Sequence, residues 1–381
     1  MEYLIDSWSL VVILLSAFAI GWGAEAAQTF MPRALALTIL AWLQTAPEFA
    51  VEAAIAWSQQ RDLMIANLTG SLRLLLGLGW PLIFFVHFAS QLLRGKPGKR
   101  LIQLEGEDAL TVLFLFLSVL YFIFILAKGQ LNCWDSLVLG GIYGVYLYLS
   151  ARLPVHEVED VDDMPWVSRK IVALPSRARI TATVLLFVAG GLALYFSVHP
   201  FIGTLQKWSI GLGISTFVFV QWVAPFLSEF PEKVTAFNWA RQDKKAPMAV
   251  MNMVNSNLNQ WTMLAAMIPL VFSLSLGRFE AVVFDDLHSR ELALTIAQSF
   301  LGGLLLLDLK FSLLDASLIL VLWLVQFLHA PLREEITVVY LIWSAALIAR
   351  FAYFYAVHRK LPRAIHELRV MRLDGTPRGA V

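Results

Sequence analysis

Apolar stretches of bilayer-spanning length recur along this sequence from end to end, and they fix its class before any motif is considered. A transmembrane helix needs about 20 predominantly apolar residues in a row. Residues 7–29, 34–57, 62–89, 108–127, 134–152, 179–198, 208–239, 247–275, 289–308, 313–330 and 336–357 each read as one. Only 15% of the 381 residues are Asp, Glu, Lys or Arg, too few to cover the surface of soluble domains. The reading is an all-α polytopic membrane protein of about eleven transmembrane helices, whose surroundings are a lipid bilayer. A lone cysteine, Cys133, excludes a disulfide framework and any multi-cysteine metal site. The scattered histidines form no H-E-x-x-H pair, and no Gly-rich phosphate loop is present. No nucleophile–base pair marks an enzyme, and the charge pattern gives nucleic-acid binding no support. The first apolar stretch has no basic segment before it, so it is read as a retained helix rather than a signal peptide.

Basic residues set the expected orientation. One set of connections holds Arg94, Lys96, Lys99 and Arg100, then Arg169, Lys170, Arg177 and Arg179, then Arg241, Lys244 and Lys245, and the tail from Arg359. The opposite set holds only Arg61, Lys128, Lys207, Arg278, Arg290 and Arg333. By the positive-inside rule the N-terminus lies outside and the C-terminus in the cytoplasm, in the plasma (inner) membrane. The longest polar break carries Glu157, Glu159, Asp160, Asp162 and Asp163. Without regular ligand spacing or a turn glycine it reads as a solvated connector rather than a calcium-sensing loop.

An internal repeat organises the rest. TAPEFAVEAAIAWSQQRDLMIANLTGS, from Thr45, answers to EFPEKVTAFNWARQDKKAPMAVMNMVNS, from Glu229. EDALTVLFLFL, from Glu107, answers to RELALTIAQSFL, from Arg290. The copies start five helices apart, an odd number, so they cross the membrane in opposite directions, as in many secondary transporters. The expected domains are two inverted five-helix repeats, 1–153 and 179–331, a connector at 154–178, an extra helix at 332–358 and a basic cytoplasmic tail at 359–381.

Glu48 and Glu232 lie far inside their helices, where a charge costs at least about 2.5–3.5 kcal/mol and usually marks a pathway or a paired site. Pro47 and Pro231 precede them, each removing its own N–H and pushing away the carbonyl four residues back. Backbone oxygens near Gln44 and Ser228 are thereby loosened beside a carboxylate, which is the donor chemistry hard cations require. Thr45, Glu48 and Glu52 share one helix face. Asn67 and Ser71 share another, while Asn252, Asn255, Ser256 and Asn259 make the segment after Ala246 unusually polar. The bland alternative for each amide is helix–helix glue.

These segments resemble the two alpha repeats of the sodium/calcium exchanger superfamily, the cation/calcium exchangers. The family pattern is G-T-S-x-P-E followed by G-N/D-x-x-G-S-N/D-x-x-N/D. Here it reads LQTAPE and ANLTGSLRLL, then LSEFPE and MNMVNSNLNQ. The resemblance implies an antiporter that exports calcium against sodium or proton entry by alternating access. Its first and sixth helices would slide on the rest, the first carrying Ala17, Ala19, Gly21 and Gly23, the sixth Gly190 and Gly191. It implies calcium ligands at Glu48 and Glu232 with backbone oxygens at Gln44 and Ser228, and Thr45 at the first motif Ser. Asn67, Ser71, Asn252 and Ser256 would help bind the coupling ion, with Asn255 and Asn259 competing for the innermost positions. The sequence departs from the pattern at Glu229, which replaces a Ser, and at Leu72 and Leu75, which replace Asn/Asp. Arg73 and Lys233 add positive charge, leaving a net negative region that would still hold one divalent ion. Arg73 has two further readings: a fixed surrogate for a bound cation in a non-transporting or regulatory scaffold, or a structural partner of Glu48 or Glu52.

Overall fold

The computed structural model describes residues 8–27, 33–152, 161 and 164–370. The connector's acidic residues Glu157, Glu159, Asp160, Asp162 and Asp163 and the tail from 371 lie outside the described residues, as do the side chains of Gln44 and Glu232. The first half comprises α1 (Trp8–Ala27), α2 (Arg33–Trp57), α3 (Arg61–Leu74), α4 (Trp80–Leu93), β1 (Leu101–Gln103), α5 (Asp108–Lys128), β2 (Gln130–Leu131) and α6 (Cys133–Ser150). Next come α7 (Trp166–Val172), α8 (Ser176–Gly211), α9 (Thr216–Ser228), α10 (Phe230–Ala240), α11 (Ala246–Asn259) and α12 (Ala265–Leu276). The chain ends through β3 (Val282–Val283), α13 (Asp286–Leu306), β4 (Lys310–Ser312), α14 (Leu313–Leu328), α15 (Arg333–His358) and α16 (Arg363–Val370).

Among the described residues, Trp8–Ala27, Arg61–Leu93, Asp108–Lys128, Ser176–Gly211, Ala246–Leu276 and Ala330–His358 are each long and apolar enough to cross a bilayer. Helices α2 and α13 have the length but carry buried polar groups, Glu48 and Glu52 in one and Glu291 and Gln298 in the other.

Two boundaries differ from the sequence reading. The helix expected to stop at residue 198 runs on through Pro200 to Gly211, 36 residues in all and about 54 Å at 1.5 Å per residue. A proline removes one donor, and the turn around it survives here with Thr204 Oγ1 donating to the Pro200 carbonyl at 2.8 Å. The chain turns instead at Gly213, whose φ of 66° few other residues adopt. The expected helix 208–239 is correspondingly two helices, α9 and α10, interrupted at Glu229. Pro225 and Pro231 remove two backbone donors within two turns, whereas α2 has Pro47 alone and stays continuous.

The fold comprises two compact units. Among the described residues, the first gathers 8–27, 33–67, 147–152, 161 and 164–235. Its main contact is α1 lying along α8, with Ser9 and Thr204 hydroxyls 3.3 Å apart. The close approach depends on Gly190: a methyl there would lie 2.9 Å from Ile20 Cγ1 and 3.3 Å from the Ser16 carbonyl oxygen. At Gly21 and Gly191 the same methyl would meet nothing within 4 Å. Gly190→Leu is therefore expected to cost about 1–3 kcal/mol by overpacking, read as a lowered melting temperature, with Gly191→Leu unchanged as the control. Helix α7 docks on α1 through Ser168, whose Oγ donates to buried Glu25 Oε2 at 2.6 Å.

The second unit gathers the described residues 68–146 and 236–370. Helices α5 and α13 pack together and are tied at both ends by short antiparallel ribbons. Strand β1, before α5, pairs with β4, after α13, placing Ile102 opposite Phe311. Strand β2, after α5, pairs with β3, before α13, placing Leu131 opposite Val282. Helices α3 and α4 run together through a π-helical turn, Leu75–Gly79, and α11 and α12 through another, Gln260–Leu264. The tail begins with α16, packed on α5 with Ala364 N–H donating to the Leu307 carbonyl at 2.8 Å. The end of α10 is held by His87 Nδ1, 3.0 Å from the Ala240 carbonyl oxygen. Beyond it, Lys96 donates to Asp243 at 3.0 Å. That bond, above all, holds the Asp243 carboxyl below its ordinary value. The contact is thus complete at neutral pH and is lost as the pH falls through the lowered value.

Candidate cation site

In the first unit, α2 carries Thr45, Glu48 and Glu52 to the interior, Glu48 being 1% exposed and Glu52 0%. The one-face spacing read from the sequence is thus realised as burial. Asn67, at the start of α3's interior, donates Nδ2 to Glu52 Oε2 at 2.7 Å. The other carboxyl oxygen, Oε1, is inaccessible to solvent and accepts no hydrogen bond.

At the second Pro-Glu segment, Ser228 is buried and its Oγ donates back to the Ala224 carbonyl at 3.0 Å. Glu229 caps α9 and receives the Lys233 ammonium on Oε2 at 2.5 Å, both groups buried. An ammonium four residues on reaches a carboxylate across one helical turn. The two charges that depart from the family pattern in this segment are therefore paired with each other.

In the second unit, Ser71, Ser256 and Asn259 are buried, while Asn252 and Asn255 are half-buried. Helix α11 packs against α4 and the turn Leu75–Gly79. Each π-helical turn begins four residues after the motif serine, at Leu75 after Ser71 and at Gln260 after Ser256. Such turns are frequent at functional sites because an extra residue re-aims the helix beyond them. Asn255 is positioned by Tyr146, whose hydroxyl donates to Oδ1 at 2.9 Å and lies 3.2 Å from Thr111 Oγ1.

The sequence reading missed two polar groups here. Asn257 donates Nδ2 to the Leu72 carbonyl at 3.2 Å and leaves Oδ1 buried without a hydrogen-bond partner. Its signal was the Asn after Ser256 in the motif. The other is Glu291. Arg73 donates Nη2 to Glu291 Oε2 at 2.6 Å, Nη1 to Gln326 Oε1 at 3.3 Å and Nε to the Thr69 carbonyl at 3.2 Å. Arg333 grips the second oxygen of Glu291 through Nη1. Gln298 completes the cluster, donating to the Arg73 carbonyl at 3.2 Å and accepting from Gln326 at 3.0 Å. Arg73 thus has its carboxylate in α13, a partner that neither sequence reading of this residue named. Glu291 stood one position inside the second repeated segment, but nothing in the spacing connected it to Arg73.

The family described as sodium/calcium exchanger protein matches residues 4–152 and 182–330. Among solved structures, an H+/Ca2+ exchanger CAX is 31% identical with a TM-score of 0.86, over 97% of this chain and 90% of that one. The sodium-calcium exchanger NCX_Mj is 17% identical with a TM-score of 0.55, over 84% and 96%. YfkE is 14% identical with a TM-score of 0.60, over 85% and 91%. No curated protein matches the chain.

Proposed function

The chain belongs to the sodium/calcium exchanger protein family, and from that premise we propose that it is a secondary active antiporter exporting calcium in exchange for protons. Sodium is the competing coupling ion. Family membership and its apolar helices make it an integral membrane protein. The observation that carries the proposal is the buried carboxylate of Glu48 behind Pro47, in a chain aligned over 97% of its length with an H+/Ca2+ exchanger. Low-dielectric burial makes such a carboxylate costly unless a cation answers it.

Glu48 and Glu232 are assigned as the calcium ligands, with backbone oxygens at Gln44 and Ser228 and support from Thr45 and Glu229. Asn67, Ser71, Asn252, Asn255, Ser256 and Asn259 are assigned to the coupling ion. The proposed layout is eleven crossings, with inverted repeats at 1–153 and 179–331, a connector at 154–178, the extra helix at 332–358 and the tail at 359–381. The N-terminus is placed outside and the C-terminus in the cytoplasm, in the plasma (inner) membrane. Two family matches of similar length and two π-helical turns at equal distance from their motif serines support that symmetry.

The test is calcium uptake by proteoliposomes of the purified protein under imposed gradients. An acidic lumen is expected to drive calcium inward as protons leave, and a sodium-loaded lumen at uniform pH is not. Uptake driven by sodium alone would reassign the coupling ion; no calcium movement under either gradient would overturn the proposal.

A further inference from the structure

We infer that Glu52 is an additional ligand for the transported divalent cation, acting one turn along α2 from Glu48. The inference rests on the antiporter reading and extends its ligand set beyond the two motif glutamates. Three observations carry it. Glu52 is 0% exposed, and Oε1 has no hydrogen-bond partner. A bare carboxylate oxygen sealed from water is among the least favourable arrangements inside a protein, and native structures rarely leave such a group without a hydrogen-bond partner, a proton or an ion. Second, the carboxyl is oriented: Asn67 Nδ2 holds Oε2 at 2.7 Å, which fixes the direction in which Oε1 points. A group held by a neighbour and open at its other oxygen is built as a ligand is built, with an outer partner aiming the donor atom. Third, Glu48 and Glu52 stand at i and i+4, where Cβ atoms are about 5–6 Å apart on one face. Two carboxylates at that spacing suit a hard divalent cation, which prefers several oxygens with carboxylate charge among them.

A purely structural role makes the opposite demands. If Glu52 served only to accept from Asn67, an amide oxygen would do the same without a buried charge. Glu52→Gln separates the two, since it keeps shape and the acceptor for Asn67 but removes the charge.

The experiment measures thermal unfolding of the purified protein with and without calcium, alongside calcium counterflow in proteoliposomes. Calcium binding to the folded state raises the wild-type melting temperature. In Glu52→Gln the calcium-free melting temperature is expected to equal or exceed that of wild type. The calcium needed for half of the shift is expected to rise at least about tenfold, as loss of a charged contact of 1.4 kcal/mol would give. Glu52→Asp is expected to restore part of the affinity. A Glu52→Gln protein that melts lower without calcium yet shows the full calcium shift would overturn the inference and leave the antiporter reading intact. A wild type with neither calcium shift nor counterflow would overturn the antiporter reading and this inference with it.

Discussion

Replacing Glu48 with glutamine is expected to lower the rate of calcium uptake driven by an acidic lumen by roughly 30- to 4,000-fold. The range follows from removing one charged partner of a buried ionic contact, about 2–5 kcal/mol, at 1.4 kcal/mol for each factor of ten. Glutamine keeps the side chain's volume, so helix α2 keeps its packing and the loss reports charge alone. Glu232→Gln is expected to match it, because the two residues occupy the same position in two copies of one motif. Initial rates in proteoliposomes, at equal protein incorporation, make the measurement. A Glu48→Gln protein that moves calcium at the wild-type rate would remove Glu48 from the ligand set. Thr45→Ala, on the same buried face, removes only a neutral oxygen and is expected to cost far less than the loss of a carboxylate charge.

The second large effect concerns stability. Glu291→Leu is expected to destabilise the protein by about 3–5 kcal/mol, since it strips the only described carboxylate bonded to both Arg73 and Arg333. Two guanidinium groups, one fully buried and the other nearly so, would then lose the carboxylate they share. Arg333→Leu leaves the Arg73–Glu291 pair in place and is expected to cost less. Thermal melts of the three proteins should rank wild type, Arg333→Leu and Glu291→Leu in that order. If Glu291→Leu melted with wild type, the cluster would hold nothing together. The same series bears on the reading of Arg73 as a surrogate for a bound cation, because Arg73→Leu would then restore cation binding rather than merely loosen the fold.

What the sequence made legible was decided locally. The apolar runs, the Pro-Glu pairs and the Asn/Ser spacing are patterns of one or two helical turns, and such patterns place most helices but not all of their ends. Pro200 shows the limit. Read alone, a proline beside a histidine suggests an end, yet α8 runs through it to Gly211, and the backbone turns left-handed at Gly213. Pro225 escaped notice because one proline does not break a helix; with Pro231 it opens the chain at Glu229. The Lys233–Glu229 pair was within reach of an i,i+4 argument. The Arg73–Glu291 pair was not, since the partners are 218 residues apart in sequence. Glu52 was placed on the right face, but its bare oxygen becomes visible only once Asn67 is seen to occupy the other one.

The ribbons at the two ends of α5 and α13 carry a consequence for biosynthesis. Leu101 finds its strand partner only at Ser312, and Gln130 only at Val283. During synthesis, the edges of β1 and β2 must therefore wait unpaired until the distal half emerges from the ribosome. When that half arrives, both clasps close around α5 and α13 in one late event, and a chain cut within its acidic connector should still assemble if both pieces reach the same bilayer.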